Sequence, residues 1–454
     1  MDNKLILQRL GVILAYPLAY AYVRFIMDLT DGFIVDPSMG GGHFMIKVSY
    51  PIFAILFIIV NELVRRGRRE NTKLSAASVF WYVMTFMTGL TACFGPEQGL
   101  SLFAMHLCAV YSVVVSNNIL LGGKTSGFII ADLIDGFCVK SFAGFPNFVI
   151  DWKCFAKPQQ VIDGEVQRPA KKGNFIAVIF IGIMAVLMII SLSLMASIDS
   201  DIAYFFDNFF AELGTYLDHL CVKDIGDIMG RCFIAVPICF YLYGLFSRSA
   251  KSDGQRETRV AVWLNKIRGK GKAVSAVIVY IAAGVFVLLY FLFFIKRLTY
   301  MMGGFTGTVP DGMLVAYYAR DGFFELVGIM AVNMCVYLAI ILFGKTDSEG
   351  KFAIPAKILV TLLMAESIVF AIVAMSKLGL YYSIYGYTPK RILAMWGTLA
   401  LGFASAMSIL TVLRGKPHIR AGIIFTAVSY VAISILSGVL PTCVYPMAAN
   451  AEIT

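Results

Sequence analysis

Charged side chains are scarce in this sequence, at 15% of its 454 residues. A soluble globular domain carries about 25% charged residues, so the composition excludes an ordinary soluble domain. Hydrophobic residues make up 59% of the chain, and apolar runs long enough to cross a bilayer recur from one end to the other. We therefore predict an all-α, polytopic transmembrane helical bundle rather than a soluble domain with an anchor.

Histidine and paired cysteine are also rare. The four histidines are dispersed, and the nine cysteines occur singly without a CxxC pair. Metal sites are usually built from such pairs, so neither a metal site nor a cofactor is predicted. GxSxG, HExxH and phosphate-loop motifs are absent as well, and no class of reaction follows from the sequence.

Eleven candidate spans stand out in a window of about 20 apolar residues. They are approximately 8–27, 45–64, 76–94, 101–121, 174–197, 227–246, 274–295, 317–343, 354–376, 392–413 and 421–440. If the N-terminus is cytoplasmic, most Lys and Arg residues fall on the inner side. The positive-inside rule therefore predicts a cytoplasmic N-terminus and an extracytoplasmic C-terminus. One integral membrane domain over 1–454, at the cell membrane, accounts for the chain.

The net charge of +10 follows from this topology. Basic inner segments such as 65–74 attract anionic lipids, so we expect the bilayer and its anionic lipids as partners, and no nucleic acid. The inner loops 157–173 and 247–272 are candidate surfaces for protein partners. Segments 127–152 and 199–220 mix aromatic, apolar and acidic residues, which predicts amphipathic pieces at the inner and outer interfaces.

The first candidate site is the stretch "YYARDGFFEL", 317–326, at the outer end of a predicted span. On a helix, Tyr317, Asp321, Glu325 and Gly328 fall within an arc of about 80°, and Arg320 lies beside Tyr317. A polar face at the mouth of a span must meet water, another helix or a ligand. Gly328 on this face is expected to let a neighbouring backbone approach closely.

The second candidate lies in "KLGLYYSIYGYTPKRILAMW", 377–396. Thr388 and Pro389 predict the N-cap and the first residue of a helix. Arg391 then lies in the first turn, where the helix dipole disfavours a cation, so an anionic partner is expected. Tyr385 belongs to the same outer cluster as Arg391. We predict that Arg391 meets the Arg320–Glu325 turn in one outward-facing pocket.

Glu366 is the only acidic residue near the middle of a predicted span. Such a residue is protonated, paired with another helix, or exposed to a wet cavity. Glu366 is therefore the candidate for proton or ion coupling.

Three stretches resemble a known family of membrane proteins. They are "AVPICFYLYGLF" (235–246), "YYARDGFFELVGIMAVN" (317–333) and "YGYTPKRILAMW" (385–396). The family is domain of unknown function 4173, a relative of 4153, and the resemblance is best over 225–415. It implies a polytopic membrane fold and no established activity. The chain departs from the family pattern at "IKRLTYMMGG", where a Gln-containing segment is usual, and in its degenerate tail "VYPMAANAEIT".

Three functions remain open. The preferred one is binding or translocation of an anionic or amphipathic ligand at the outward-facing site, because Arg-lined helix mouths suit phosphate and carboxylate groups. The second is an enzyme acting on a lipid-linked substrate, with Glu325 or Asp321 as the base. The third is a sensor or assembly protein that uses the inner loops. A purely structural alternative is that Arg320, Glu325 and Arg391 pair with one another and fix helix packing.

Overall fold

A computed structural model describes most of the chain. The described ranges are 3–27, 42–70, 73–94, 98–156, 223–252, 275–309, 313–344, 352–386 and 388–444, with the single positions 260, 262 and 266. Within them every regular element is helical and no β-strand occurs. The predicted span 174–197, the predicted interfacial segment 199–220, the loop 157–173 and the tail after 444 lie outside the described residues.

The helices before residue 252 are α1 (Asn3–Tyr22), α2 (Gly42–Arg68), α3 (Ala76–Phe94), α4 (Gln98–Ser116), α5 (Ile129–Ile134), α6 (Ser141–Ala143), α7 (Phe145–Ala156) and α8 (Lys223–Lys251). Those after it are α9 (Ala276–Thr306), α10 (Val315–Phe343), α11 (Ile354–Tyr385), α12 (Pro389–Arg414) and α13 (Ile419–Val444). A π-helical turn extends α1 to Met27, and another joins α5 to α6.

Nine of the described helices are long and apolar enough to cross a membrane. They are α1, α3, α4 and α8 to α13, and the bent run from α5 to α7 is a tenth candidate if it forms one broken span. The predicted span 45–64 is the helix α2. The all-helical class is thus confirmed, whereas the total of eleven spans and the orientation of the termini stay predictions.

Contacts divide the chain into two compact units. The first comprises 1–86, 106–119 and 131–253, and the second comprises 87–105, 120–130 and 254–454. In the first unit α1 packs against α2 and α8, and α8 packs against α6 and α7. In the second unit α11 is central, because it packs against α9, α10 and α12, and α12 packs against α13. The single membrane domain over 1–454 stays a prediction.

Two predicted inner loops begin inside helices. Arg65, assigned to the basic loop 65–74, is in α2 and only 1% exposed. Its guanidinium donates to Glu62 at 2.8 Å, and the Tyr82 hydroxyl donates to the same carboxylate at 2.6 Å. Ser247 and Ser249, assigned to the loop 247–272, lie fully buried in the last turn of α8. The loop boundaries were wrong because basic and hydroxyl residues continue these helices beyond their apolar parts.

The shape of α9 and the length of α11 place the candidate site. Helix α9 kinks at Arg297, which has φ −115° and ψ 16°, and its C-cap is Gly307, whose φ of 72° is left-handed. Its last turns carry Tyr300 and a glycine pair. Helix α11 has 32 residues and is therefore about 48 Å long. A bilayer core is about 30 Å thick, so α11 is longer than a helix needs to be to cross it.

Candidate functional site

Lys377, on α11, is the most deeply buried cation of the second unit's site. Its side chain has no exposed surface, and its Nζ lies 3.7 Å from the ring centroids of both Tyr300 and Tyr318. The two rings are perpendicular, with centroids 5.0 Å apart. We call Lys377, Tyr300 and Tyr318 the tyrosine cage. An ammonium over a ring face gains about 0.5–2 kcal/mol, so the cage joins α9, α10 and α11 through one charge.

Within the part of the chain that the structure describes, the ammonium in this cage has no hydrogen-bond acceptor. Nζ of Lys377 is buried and makes no hydrogen bond, although an ammonium carries three N–H donors. Glu325 is within electrostatic range of Lys377 but is itself exposed. A buried donor without an acceptor costs about 1–3 kcal/mol, so the cage carries unused bonding capacity.

Three glycines make the cage possible. A Cβ on Gly322 would lie 2.6 Å from Nζ of Lys377, and one on Gly303 would lie 2.5 Å from the Tyr318 hydroxyl. A Cβ on Gly304 would lie 2.8 Å from the Lys377 backbone nitrogen. The prediction of a close approach at Gly328 was wrong, because nothing lies within 4 Å of a Cβ built there. The close contacts of α10 fall at Gly322, which is on its buried face.

Gly322→Ala is expected to destabilise the protein by about 1–3 kcal/mol, because the new methyl group displaces the Lys377 ammonium. Gly328→Ala is the matched control on the same helix, and it is expected to be neutral or slightly stabilising because alanine favours a helix. Thermal unfolding in detergent measures both. Equal midpoints for the two variants would contradict the packing described for the cage.

The predicted polar face of α10 lies on its exposed side. Tyr317 is 52% exposed, and the Arg320 Cζ lies 5.5 Å from its ring. The Arg320 Nε donates to Asp321 Oδ1 at 2.9 Å, with both side chains 53% exposed. Glu325 and Gly328 are exposed on the same side. The structure therefore brings Tyr317, Arg320 and Asp321 together, and Glu325 follows one turn later.

Arg391 is held by the end of the preceding helix. Its Nη1 donates to the carbonyl oxygen of Tyr385 at 2.9 Å and to that of Gly386. These carbonyls form the negative end of the α11 dipole, which supplies the partner expected for Arg391. Thr388 and Pro389 are the N-cap and first residue of α12, as predicted.

Tyr381 connects the two predicted arginines. The Arg391 Cζ lies 4.2 Å from the Tyr381 ring, and Arg320 is within electrostatic range of the same tyrosine. Tyr385 packs on Tyr381 with centroids 4.9 Å apart. The described structure shows no ion pair between Arg391 and Glu325. Arg320 and Arg391 therefore both approach Tyr381. Of the two, only Arg320 is seen to pair with an acid of α10, namely Asp321.

Glu366 lies in the middle of α11, apart from these groups. Its Oε2 is buried and has no hydrogen-bond partner among the described residues, and Tyr290 of α9 is within its electrostatic range. Lys377 follows about 16 Å further along the helix, so the two side chains do not touch. Asn333 donates to the Ser367 Oγ at 2.8 Å on the neighbouring face. The role of Glu366 in proton or ion coupling stays a prediction.

A groove of about 1000 Å³ runs between the end of α9, α11 and α12. Large apolar side chains form most of its wall, including Phe305, Ile368, Ile372, Met375, Leu380 and Phe403. The hydroxyls of Ser376 and Ser383 add polar points, and Gly379 and Gly402 leave room between them.

The groove and the tyrosine cage are separated by a glycine pair. Gly304 lines the groove, while the preceding Gly303 packs against the Tyr318 hydroxyl of the cage. On α11, Ser376 lines the groove and Lys377 follows it in the chain. The apolar groove and the buried Lys377 are thus adjacent, and at Gly304 the closely packed backbones of α9 and α11 separate them.

Sequence reasoning missed the cage. Tyr318 was part of the motif at 317–326 without a role, and Lys377 was counted as an outward cation. The spacing of Lys377, Tyr381 and Tyr385 places these three on one stripe of α11, but it gives no signal for Tyr300 and Tyr318, which come from other helices. In the described ranges, no group of three His, Cys, Asp or Glu side chains is placed to hold a metal ion.

These features define a polytopic helical membrane protein with a polar site beside an apolar groove. Residues 86–440 match the family described as Domain of unknown function (DUF4153). This range covers most of the chain, so the protein belongs to that family, the relative predicted from the motifs around Arg320 and Arg391. No curated protein and no solved structure matches the chain.

Proposed function

We propose that the second unit binds, and in a transport cycle moves, an amphipathic molecule. Its hydrocarbon chain occupies the groove, and its charged head lies at the ends of α10, α11 and α12. The supporting observation is the groove of about 1000 Å³ along the same turns of α11 that carry Tyr381 and Tyr385. Ligand sites are typically apolar clefts of about 300–1,000 Å³ with a few polar groups.

The geometry of α11 provides neighbouring surfaces for the apolar and the charged end of such a ligand. Ser376, Leu380 and Ser383 line the groove, whereas Lys377 and Tyr381 lie about 100° further around α11 at the same depth. Hydrocarbon and charge are therefore available side by side. Guanidinium groups such as Arg320 and Arg391 suit phosphate or carboxylate heads.

The membrane orientation belongs to the same proposal. With a cytoplasmic N-terminus and eleven spans, the last turns of α11 lie at the outer border of the cell membrane. The ligand then enters from the outer leaflet, where an acyl chain is already in hydrocarbon. An enzyme that acts on a lipid-linked substrate at Glu325 is the alternative, because Glu325 is exposed and within electrostatic range of Tyr300 and Lys377.

Gly379→Phe tests the groove directly. Gly379 lines the groove, and nothing lies within 4 Å of a Cβ built on it, so a phenyl ring fills the groove without disturbing the helices. We expect the affinity for a fluorescent fatty acid, cis-parinaric acid, to fall at least tenfold while the thermal midpoint is retained. Titration in detergent measures the affinity.

Gly397→Phe is the matched control for this experiment. Gly397 is also in a span helix with nothing within 4 Å of its Cβ position, and it is not among the groove residues. This variant should bind cis-parinaric acid as the unmodified protein does. If both variants bind equally well, the groove is not the ligand site.

A further inference from the structure

We infer that Lys377 is the anion-binding group of this site, and that its ligand is a hydrocarbon chain ending in a carboxylate or phosphate oxyanion. This inference rests on the proposed function, because it assigns the head group of the molecule whose chain occupies the groove. It adds to the proposed function that Lys377 binds the head group and that the head group is an oxyanion.

The first support is the unsatisfied ammonium. Lys377 has no exposed side-chain surface, and its Nζ makes no hydrogen bond to any described residue. The faces of Tyr300 and Tyr318 attract its charge, but they accept none of its N–H groups as an oxygen does. Buried polar groups without partners are rare in folded proteins, and each points to a missing water, ion or ligand.

The second support is the state of the neighbouring cations. Arg320 is bonded to Asp321, and Arg391 is bonded to the carbonyls that end α11. Lys377 has Glu325 within electrostatic range but makes no hydrogen bond to it. Of these three cations, Lys377 is therefore the one whose N–H groups meet no oxygen within the described residues.

The third support is that Lys377 borders the groove. Gly304 lines the groove, and a Cβ built on it would lie 2.8 Å from the Lys377 backbone nitrogen, so the backbone of Lys377 lies directly behind the groove wall. An oxyanion at the end of a chain in the groove reaches the Ser376 hydroxyl first. Lysine has a flexible four-carbon stem, so its ammonium can turn from the tyrosine rings towards an oxyanion beside Ser376. Charge-assisted hydrogen bonds then replace contacts with ring faces.

The experiment compares three ligands of equal chain length: palmitate, hexadecyl phosphate and the uncharged hexadecanol. Full-length protein in nanodiscs or detergent is titrated with each. We expect at least one acid to bind tenfold or more tightly than hexadecanol. Preference for palmitate alone assigns a carboxylate head, preference for hexadecyl phosphate alone assigns a phosphate head, and preference for both assigns any oxyanion.

Lys377→Met is expected to abolish this preference by lowering the affinity for the acid to that for hexadecanol, which itself stays unchanged. Lys377→Arg retains the charge and is expected to retain the preference. Lys416→Met removes an exposed lysine just beyond the opposite end of α12 and serves as the matched control. Lys377→Gln provides the same comparison if the methionine variant does not fold.

Two outcomes overturn the inference. One is a tenfold preference for the acid that survives loss of the Lys377 charge, and the other is equal binding of all three ligands by the unmodified protein. Neither outcome bears on whether the groove binds a hydrocarbon chain. That question is tested separately by hexadecanol binding to Gly379→Phe. If Gly379→Phe loses hexadecanol binding while Lys377→Met still prefers the acid over hexadecanol, the proposed function is supported and the role of Lys377 is not.

Discussion

Gly244→Val is expected to destabilise the first unit by about 3 kcal/mol, at the upper end of the range for overpacked sites. Gly244 is on α8, where a Cβ would clash with the carbonyl oxygen of Ser141 and lie 3.1 Å from the carbonyl carbon of Gly144. These are backbone atoms, so no side chain can rotate away. The helices themselves must separate to admit a valine.

The same contact explains the bend between α6 and α7. Gly144 lies at this bend, where the two helical segments meet at 42°, and a Cβ there would clash with the Gly244 backbone. Small residues at helix interfaces allow backbones to approach closely in membranes. The helices of segment 127–152 are together long and apolar enough for one broken span or a re-entrant loop, and the prediction of interfacial pieces stays a prediction.

Gly230→Val is the control for the Gly244 prediction. Gly230 is on the same helix α8, and nothing lies within 4 Å of its Cβ position. Both variants change helix propensity by the same amount, so the difference between their thermal midpoints in detergent isolates the contact. Midpoints that coincide would show that α8 does not pack on Gly144.

The spans could be predicted from the sequence because about 20 consecutive apolar residues are a local signal. The prediction for α11 ended at 376, whereas the helix continues to Tyr385. Lysine and tyrosine lower the mean hydropathy of the sequence after 376, so the span predicted from hydropathy ends before the helix does. The polar face of α10 could be predicted in the same way. The helical period of 3.6 residues places Tyr317, Asp321 and Glu325 on one side of a helix within one short stretch of sequence.

The tyrosine cage could not be predicted in this way. It needs side chains from three helices, the kink of α9 at Arg297, and glycines at 303 and 322 that admit close packing. None of these is a property of one segment. The positive-inside rule has a similar limit, because it treats every basic residue as solvated. Arg65 is instead buried, because it pairs with Glu62 one turn away.

Asp151→Ala is expected to destabilise the protein by about 3–5 kcal/mol, the usual cost of breaking a buried ion pair. The Arg68 guanidinium donates to Asp151, and the Tyr243 hydroxyl donates to the same carboxylate oxygen at 2.8 Å. Lys251 Nζ lies 3.7 Å from the other oxygen. The side chains of Arg68 and Asp151 are only 10% and 15% exposed, so water does not replace the lost acceptor.

Asp321→Ala is the matched control, because it also removes a carboxylate bonded to an arginine. Both partners of that pair are 53% exposed, and exposed ion pairs contribute little to stability. Its thermal midpoint should therefore stay near that of the unmodified protein. High salt should not reproduce the Asp151→Ala effect in the unmodified protein, since buried pairs are poorly screened.

The double variant Arg68→Met, Asp151→Ala separates a buried charge from a general packing defect. The loss in Asp151→Ala arises mainly from leaving the Arg68 cation buried without its anion, and this cost disappears when Arg68 becomes apolar. The double variant is therefore expected to be more stable than Asp151→Ala alone, with a coupling of about 1–3 kcal/mol between the two sites. Strictly additive losses would show that Asp151 acts through packing and that the pair with Arg68 is incidental.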